Sequence, residues 1–302
     1  MRRFDGLVAE VSRTRPMLSS GLVQLAQTGD EHFWALSEQL LEWAEKLLGP
    51  DHLATLARGY ALFVLDVSKS QMRYERARRY ENLTFEEAGR AVYFNEEFAA
   101  DYHWGVYTTT FAWDHHVRLH RFFTEQFLPL LPATGSAIDL GSGSGVWSAM
   151  LAAALPGWRT LGLDISPHFA QRAEQLVAAA GLADRCHFEV ADALAWQPAE
   201  PVDAGMTCFV LEHLEDPRLL LESLSRALVP RGHAFVTGAL TAAESDHIFE
   251  FTRESELLLL AEECGLRVVA SLSASPPNYP ATMHYLPRSM AMIVQKRGGE
   301  IW

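Results

Sequence analysis

The sequence predicts an α/β protein: a doubly wound, seven-stranded, mostly parallel sheet preceded by an N-terminal helical lid. Three observations predict it. An apolar strand runs into alternate glycines at Ala137-Ile138-Asp139-Leu140-Gly141-Ser142-Gly143-Ser144-Gly145. From there to residue 296, short apolar runs alternate with intervals long enough for helices, the pattern of a wound parallel sheet. The first third, by contrast, shows helical spacing of apolar residues and few strand signals.

Taken in order, helical spacing covers residues near 18–28, 31–48, 51–66, 70–80 and 84–100, with breaks at Gly29-Asp30, Gly49-Pro50 and Asn82-Leu83-Thr84. A further helix from Asp114 to Leu130 is stopped by Pro129 and Pro132. Strands are expected near 136–140, 159–163, 186–190, 203–209, 233–238, 267–272 and 290–296, and helices at 145–154, 167–180, 217–228 and 253–264. The division expected is a helical lid or cap over 1–113 and a sheet domain over 114–302.

The strand ends carry the chemistry. Leu161-Gly162-Leu163-Asp164-Ile165-Ser166 is an apolar strand ending in an acid, about 20 residues past the glycines, where a nucleotide-binding βαβ unit presents a carboxylate to ribose hydroxyls. Asp192 closes His187-Phe188-Glu189-Val190-Ala191, and a fourth strand-like run extends from Val202 to Leu211. A dinucleotide site wants Gly-x-Gly-x-x-Gly; this loop is Gly-Ser-Gly-Ser-Gly after Asp139, and a P-loop lysine is missing. Each residue also has a plain structural reading: Gly141 and Gly145 as turn and packing glycines, Asp164 as a helix N-cap, Asp192 as a solvated acid. Their joint placement on one sheet edge favours a ligand site.

Residues from about 134 to 297 resemble the class I S-adenosylmethionine-dependent methyltransferases, whose fold is a Rossmann-like doubly wound sheet. The resemblance implies that Asp139, Gly141, Gly143 and Gly145 cradle the amino-acid part of S-adenosylmethionine. It implies that Asp164 holds the ribose, with Ile165 beside the adenine, and that Asp192 and the Ala193 backbone bond the adenine. Cys208 and Phe209, in Met206-Thr207-Cys208-Phe209-Val210-Leu211-Glu212-His213, match the segment that passes beneath the methionine and the reacting carbon.

With 302 residues, 49% hydrophobic and 21% charged, the chain can bury a large core. A formal charge of -13 argues against a nucleic-acid partner; the basic cluster Arg73, Arg76, Arg78, Arg79 shares its helix with Glu75 and Glu81 and reads as a solvated, ion-paired face. Cys186, Cys208 and Cys264 are widely separated, so neither a disulfide framework nor a Cys-x-x-Cys metal site is expected. No apolar run reaches a membrane span, and Met1-Arg2-Arg3-Phe4 does not open a signal peptide, so a cytoplasmic protein with no membrane partner is expected. The aromatic and basic helices of residues 60–100 suit a second subunit as well as the sheet, which leaves a homodimer open.

Tyr93 to Tyr107 is dense in aromatics with polar tips, suited to lying over a sulfonium and excluding water. Tyr102 and Tyr107 are candidates for contact with the acceptor; Phe94 and Phe98 suit core packing. His213, ending the fourth-strand motif, and His247, in the loop after the fifth strand, are candidates for proton removal or acceptor orientation. His284 lies in a proline-rich insert, Pro276 to Pro287, expected to wall the substrate. His116 and His120 have the i, i+4 spacing of metal ligands, beside His115, but no acid or cysteine stands at a supporting interval. Leu211-Glu212-His213 resembles the metal-binding segment of quinone-biosynthesis O-methyltransferases, yet Phe209 replaces a further acid of that pattern, so no metal is expected.

The resemblance thus implies transfer of a methyl group from S-adenosylmethionine to a small molecule, by in-line displacement in a lidded pocket, in small-molecule biosynthesis. Two other uses of the scaffold remain open. One is intramolecular cyclisation of S-adenosylmethionine to azetidine-2-carboxylate with release of methylthioadenosine; the other is noncatalytic binding.

Overall fold

A computed structural model describes residues 2–91, 96–277, 279 and 282–298, with backbone only at 89–91 and 96–100. Seven helices precede the sheet: α1 (Arg3–Thr14), α2 (Ser20–Thr28), α3 (Glu31–Leu48), α4 (His52–Ala77), α5 (Phe85–Ala91), α6 (Glu96–Ala112) and α7 (Asp114–Phe122). Strands and helices then alternate as β1 (Thr134–Leu140), α8 (Val146–Ala154), β2 (Gly157–Asp164), α9 (Pro167–Ala179), β3 (Cys186–Val190), β4 (Val202–Cys208), α10 (Pro217–Ala227), β5 (Leu228–Leu240), α11 (Glu254–Glu263), β6 (Leu266–Ala274) and β7 (Arg288–Lys296).

The sheet order is β3-β2-β1-β4-β5-β7-β6, parallel except for β7, which runs antiparallel between β5 and β6. The seven-stranded, mostly parallel sheet expected from the sequence is therefore present. The winding reverses between β1 and β4, and a ligand crevice opens at that point, outside the carboxyl ends of the strands. Central strands are buried on both faces, which are covered by helices. Ala137, Met206 and Phe235 pack with α8 and the N-terminal helices, while Ile138, Leu140 and Val236 pack with α10 and α11.

Helix starts follow local chemistry. Asp30 accepts from Phe33 N–H to cap α3, and Ser166 and Asp216 do the same for α9 and α10, each followed by proline at the first helical position. Several sequence expectations are corrected. Residues 51–66 and 70–80 form the single helix α4, since Asp66 to Ser70 holds no glycine or proline to end it. Within the 84–100 segment helix is described over Phe85–Ala91 (α5) and from Glu96, where α6 runs on to Ala112. The helix from Asp114 ends at Phe122, followed by a wider turn over Phe123–Phe127 and a tight one over Leu128–Leu130. Helix α1 was unexpected; it packs Phe4 edge-on to Phe33 at 4.9 Å.

The helices cover the carboxyl edge of the sheet. Gln71 of α4 donates through Nε2 to the carbonyls of Thr241 and Tyr285 and accepts from Ala243 N–H through Oε1 at 2.8 Å. The Tyr74 hydroxyl bonds Glu250, and that of Tyr80 donates to the Ala242 carbonyl at 2.8 Å. Thus the C-terminal half of α4 is bonded to the loop after β5. Helix α6 is held on α4 by backbone contact at Gly59 and Gly105: a Cβ on Gly59 would stand 2.6 Å from the Asp101 carbonyl oxygen and 2.8 Å from Gly105 N. Arg58 and Asp101 form an ion pair beside this contact.

Because that overlap is with backbone, which cannot rotate away, Gly59→Ala is expected to cost about 2 kcal/mol of stability. Gly21→Ala in α2, where the new methyl meets open space, is expected to be neutral or slightly stabilising. Urea denaturation of both variants checks the contrast; equal midpoints would mean that α6 can move off α4 without loss.

Candidate active site

The loop from β1 to α8 turns through three left-handed glycines, Gly141, Gly143 and Gly145, at φ +73°, +50° and +71°. This folds its amides onto the end of β2. Gly141 N–H and Ser142 N–H donate to the Leu163 carbonyl at 2.8 and 2.9 Å, and Gly143 N–H donates to Asp164 Oδ2 at 2.8 Å. Asp164 Oδ1 accepts from Ser166 N–H at 2.8 Å. Burial pushes the Asp164 carboxyl up to about 6, opposed by these two amides and by His213.

One cavity, of about 1320 Å³, runs from this loop to the underside of α4 and α6. Of the residues implied for the cofactor, Gly141, Gly143, Asp164, Ile165, Asp192, Ala193, Cys208 and Phe209 line it. Ile165 is 54% exposed and Asp192 is exposed, its carboxylate accepting from Leu194 N–H. Phe209 has φ +57°, rare for a bulky residue, with its N–H donating to Thr237 Oγ1 at 2.9 Å and its ring 4.9 Å from that of His116.

Asp139 and Gly145 are not among the lining residues. Asp139 is buried below the loop, accepting from Ser148 Oγ at 2.8 Å, and burial pushes its carboxyl up to about 7. A Cβ on Gly145 would stand 2.6 Å from the Phe188 ring and 2.7 Å from Ala173, so this glycine lets α8 close on its neighbours. Both shape the loop from beneath.

Tyr102, His213 and His247 meet at the other end of the cavity, together with Glu212, from the segment noted in the sequence, and two acids that the sequence alone did not single out, Glu244 and Asp246. The Tyr102 hydroxyl donates to Asp246 Oδ1 at 3.1 Å and Glu244 Oε2 at 3.3 Å. His213 Nδ1 lies 3.1 Å from the Asp246 carbonyl oxygen and 3.6 Å from its Oδ2. His247 Nδ1 lies 2.7 Å from the Ala242 carbonyl oxygen, its Nε2 3.6 Å from Glu244 Oε2.

Electrostatics differ sharply across this group. Burial and His213 take His247 down to about 3, whereas for His213 the carboxylates of Asp246 and Glu212 outweigh burial and raise its pKa. Burial raises Glu212, and burial with Asp246 and Glu212 nearby holds Glu244 well above the usual carboxylate range. Donor atoms of Glu212, His213 and His247, and of Glu244, Asp246 and His247, lie within 4.8 Å of one another, so the cluster can surround a cation.

Tyr107 is corrected as a site candidate: it is wholly buried, its hydroxyl donating to the Leu40 carbonyl at 2.7 Å, and it does not line the cavity. His116 faces the cavity while His120 meets His32 at 3.0 Å, so the i, i+4 pair does not converge on one point. The proline-rich insert walls the cavity through Pro276, Pro277 and Pro287, but His284 points outward beside Glu75. Phe94 lies outside the described residues, and of Phe98 only the backbone is described.

A wound sheet with a cavity at the winding reversal, a glycine loop and a strand-end acid defines a cofactor-binding α/β protein. Residues 138–234 match the family model described as a methyltransferase domain. Trans-aconitate 2-methyltransferase of Methylobacterium radiotolerans is 36% identical over 117 residues, covering 39% of this chain and 43% of the relative. The protein of the same name from Azoarcus sp. (strain BH72) is 32% identical over 145 residues, covering 48% and 54%. The chain spans about half the length of these curated relatives. In fold it is similar to the mitomycin 7-O-methyltransferase MmcR (TM-score 0.56, 21% identity, 86% of this chain and 75% of that one). It is also similar to the [4+2]-cyclase SpnF (TM-score 0.51, 17% identity, 60% and 81%). Over residues 138–234 the chain thus matches a methyltransferase domain, and these findings support its resemblance to the class I S-adenosylmethionine-dependent methyltransferase superfamily.

The Asp139 carboxyl has a folded pKa above the ordinary 3.8, so its contribution to stability is full below about 3.8 and lost as pH rises toward about 7. Between pH 5 and pH 8, Asp139→Asn is therefore expected to lose ~2 kcal/mol less stability than the unaltered chain. Urea denaturation at the two pH values measures this; parallel losses would show that Asp139 stays ionised throughout.

Proposed function

We propose that the protein transfers the methyl group of S-adenosylmethionine to a small-molecule acceptor. The observation that carries the reading is the continuity of one covered cavity from the glycine loop and Asp164 to the acid–histidine end under α4 and α6. A sulfonium is already activated toward displacement, so the protein's part is to align donor and acceptor and keep water out.

In this reading residues 1–113 are the cover and 114–302 the cofactor-binding part. Asp164 accepts from the ribose hydroxyls, Ile165 and Ala193 flank the adenine with Asp192 at its amino group, and Cys208 and Phe209 underlie the methionine chain. Gly141 and Gly143 bring the backbone close to the amino-acid end. The acceptor enters between Phe209 and the cluster of Tyr102, His213 and His247. His213, joined to Asp246, is best placed to take a proton.

A polyanion such as trans-aconitate, for which the relatives are named, suits this cavity poorly. Glu212, Glu244 and Asp246 would repel it. Arg288, the one arginine or lysine among the described lining residues, already donates to Glu254 at 2.6 Å and the Thr252 carbonyl at 2.8 Å. The relatives' names lend no support to intramolecular cyclisation, and that reading is tested directly by the products.

Incubation with S-adenosylmethionine and a small-molecule extract should yield S-adenosylhomocysteine, with none from the cofactor alone. Enzyme-dependent methylthioadenosine without any acceptor would overturn methyl transfer. Asp164→Ala should weaken S-adenosylmethionine binding by about 2 kcal/mol, read by calorimetry, through loss of charged hydrogen bonds to the ribose. His213→Ala should keep cofactor affinity within about twofold while lowering turnover. A base must be neutral to act, and the His213 pKa lies above the ordinary 6.5, so turnover should rise with pH through neutrality. An identical pH profile in His213→Ala would return this residue to a structural role.

A further inference from the structure

We propose that the acid–histidine end of the cavity recognises a protonated amine on the acceptor, with Glu212, Glu244 and Asp246 surrounding the ammonium group. The proposal rests on the methyl-transfer reading for the chemistry after binding, but not for the binding itself.

The first observation is Glu212. Its side chain is wholly buried, lines the cavity, and has no hydrogen-bond partner for either carboxylate oxygen among the described residues. The backbone of Glu212 and Ala239 lies close enough to offset part of the cost of burial, but burial prevails. A buried carboxylate without partners is costly; it is relieved by taking up a proton or by an opposite charge that completes the site, and a cation reaching the cavity supplies the second. The second is the charge count around it. Asp246 is 2% exposed, Glu244 shares the Tyr102 hydroxyl with it, and half-buried Asp66 stands behind, accepting from Ser245 N–H. His213 offsets one of these charges; Arg288 spends Nη1 and Nη2 on Glu254 and the Thr252 carbonyl, leaving Nε alone without a partner among the described residues. The cluster therefore retains an excess of acid directed at the cavity.

The third observation favours an organic cation over a bare metal ion. Beside the acids stands an aromatic wall, Phe63 edge-on to Tyr102 at 5.2 Å and tilted against Trp113 at 5.5 Å, all lining the same cavity. Such rings contact the carbon skeleton of an organic cation and attract its charge, which a hydrated ion would not use.

The test uses the full chain saturated with S-adenosylhomocysteine and calorimetric titration with 2-phenylethylamine, 2-phenylethanol and 3-phenylpropionate, which share a ring and differ in charge. The amine should bind at least tenfold more tightly than the alcohol, and the carboxylate more weakly than either. Glu212→Gln, which keeps shape and removes charge, should erase most of the preference while S-adenosylhomocysteine affinity stays within twofold. Equal binding of amine and alcohol, no binding of the amine, or preference for the carboxylate would overturn the proposal. So would a rise in melting temperature with magnesium, manganese or zinc chloride alone that vanishes in Glu212→Gln, which would make the cluster a metal site. Because no turnover is read, a failure of methyl transfer in the product assay leaves this result interpretable.

Discussion

The covered site depends on how closely α4 and α6 approach. At Gly59 and Gly105 the two backbones meet without intervening side chains, and this brings the face of α6 bearing Tyr102 and His103 down toward the sheet edge. An open parallel sheet otherwise leaves its carboxyl edge to water. Here the hydrogen bonds of Gln71, Tyr74 and Tyr80 fasten α4 to the loop after β5, so the acids of that loop face helix instead of solvent. Packing in the cap thereby sets the electrostatics of the site.

The consequence runs through the carboxyl groups. Asp139, Asp164, Glu212 and Glu244 are all shifted upward, with burial the largest cause for each. They are not equivalent. Asp139 and Asp164 have donors fixed by the loop fold, from Ser148 Oγ and from the amides of Gly143 and Ser166, and so hold the glycine loop to the β2 end. Glu212 has no such donors, and Glu244 only a shared hydroxyl. The glycine-loop end is thus largely satisfied by the protein's own groups, whereas Glu212 at the acid end lacks such donors among the described residues.

The sheet was legible because strand, glycine loop and strand-end acid are local signals: each of the seven expected strands overlaps an observed one, and Cys186–Val190 coincides with it. The cap was less so. Whether a polar-tipped aromatic faces a cavity or a neighbouring helix depends on helix phase and packing: Tyr102 and Tyr107, five residues apart, point about 140° apart on one helix. One meets Asp246 and the other the Leu40 carbonyl, and nothing within Asp101-Tyr102-His103-Trp104 distinguishes them. Glu244 and Asp246 read as ordinary loop acids, since only the passage of α4 over them removes their water. The Glu212-His213 segment was visible, but a pattern that expects its further acid at Phe209 does not reveal acids arriving from another strand end.

A transferable methyl on a sulfonium asks little of the residues around it, so sequence constraints at such a site fall on holding the cofactor and choosing the acceptor. In the proposed reading the first is met by the glycine loop and the strand ends. The second falls to side chains brought from the loop after β5 and from α6, elements that do not shape the glycine loop. MmcR and SpnF, a methyltransferase and a cyclase by name, share the fold at low identity, which is what this separation of duties permits. In the proposed reading the composition of the acid end, more than the fold, sets which acceptor is taken. An amine held there would neutralise acids that the cap has removed from water, so the cover that excludes solvent also sharpens the choice of acceptor.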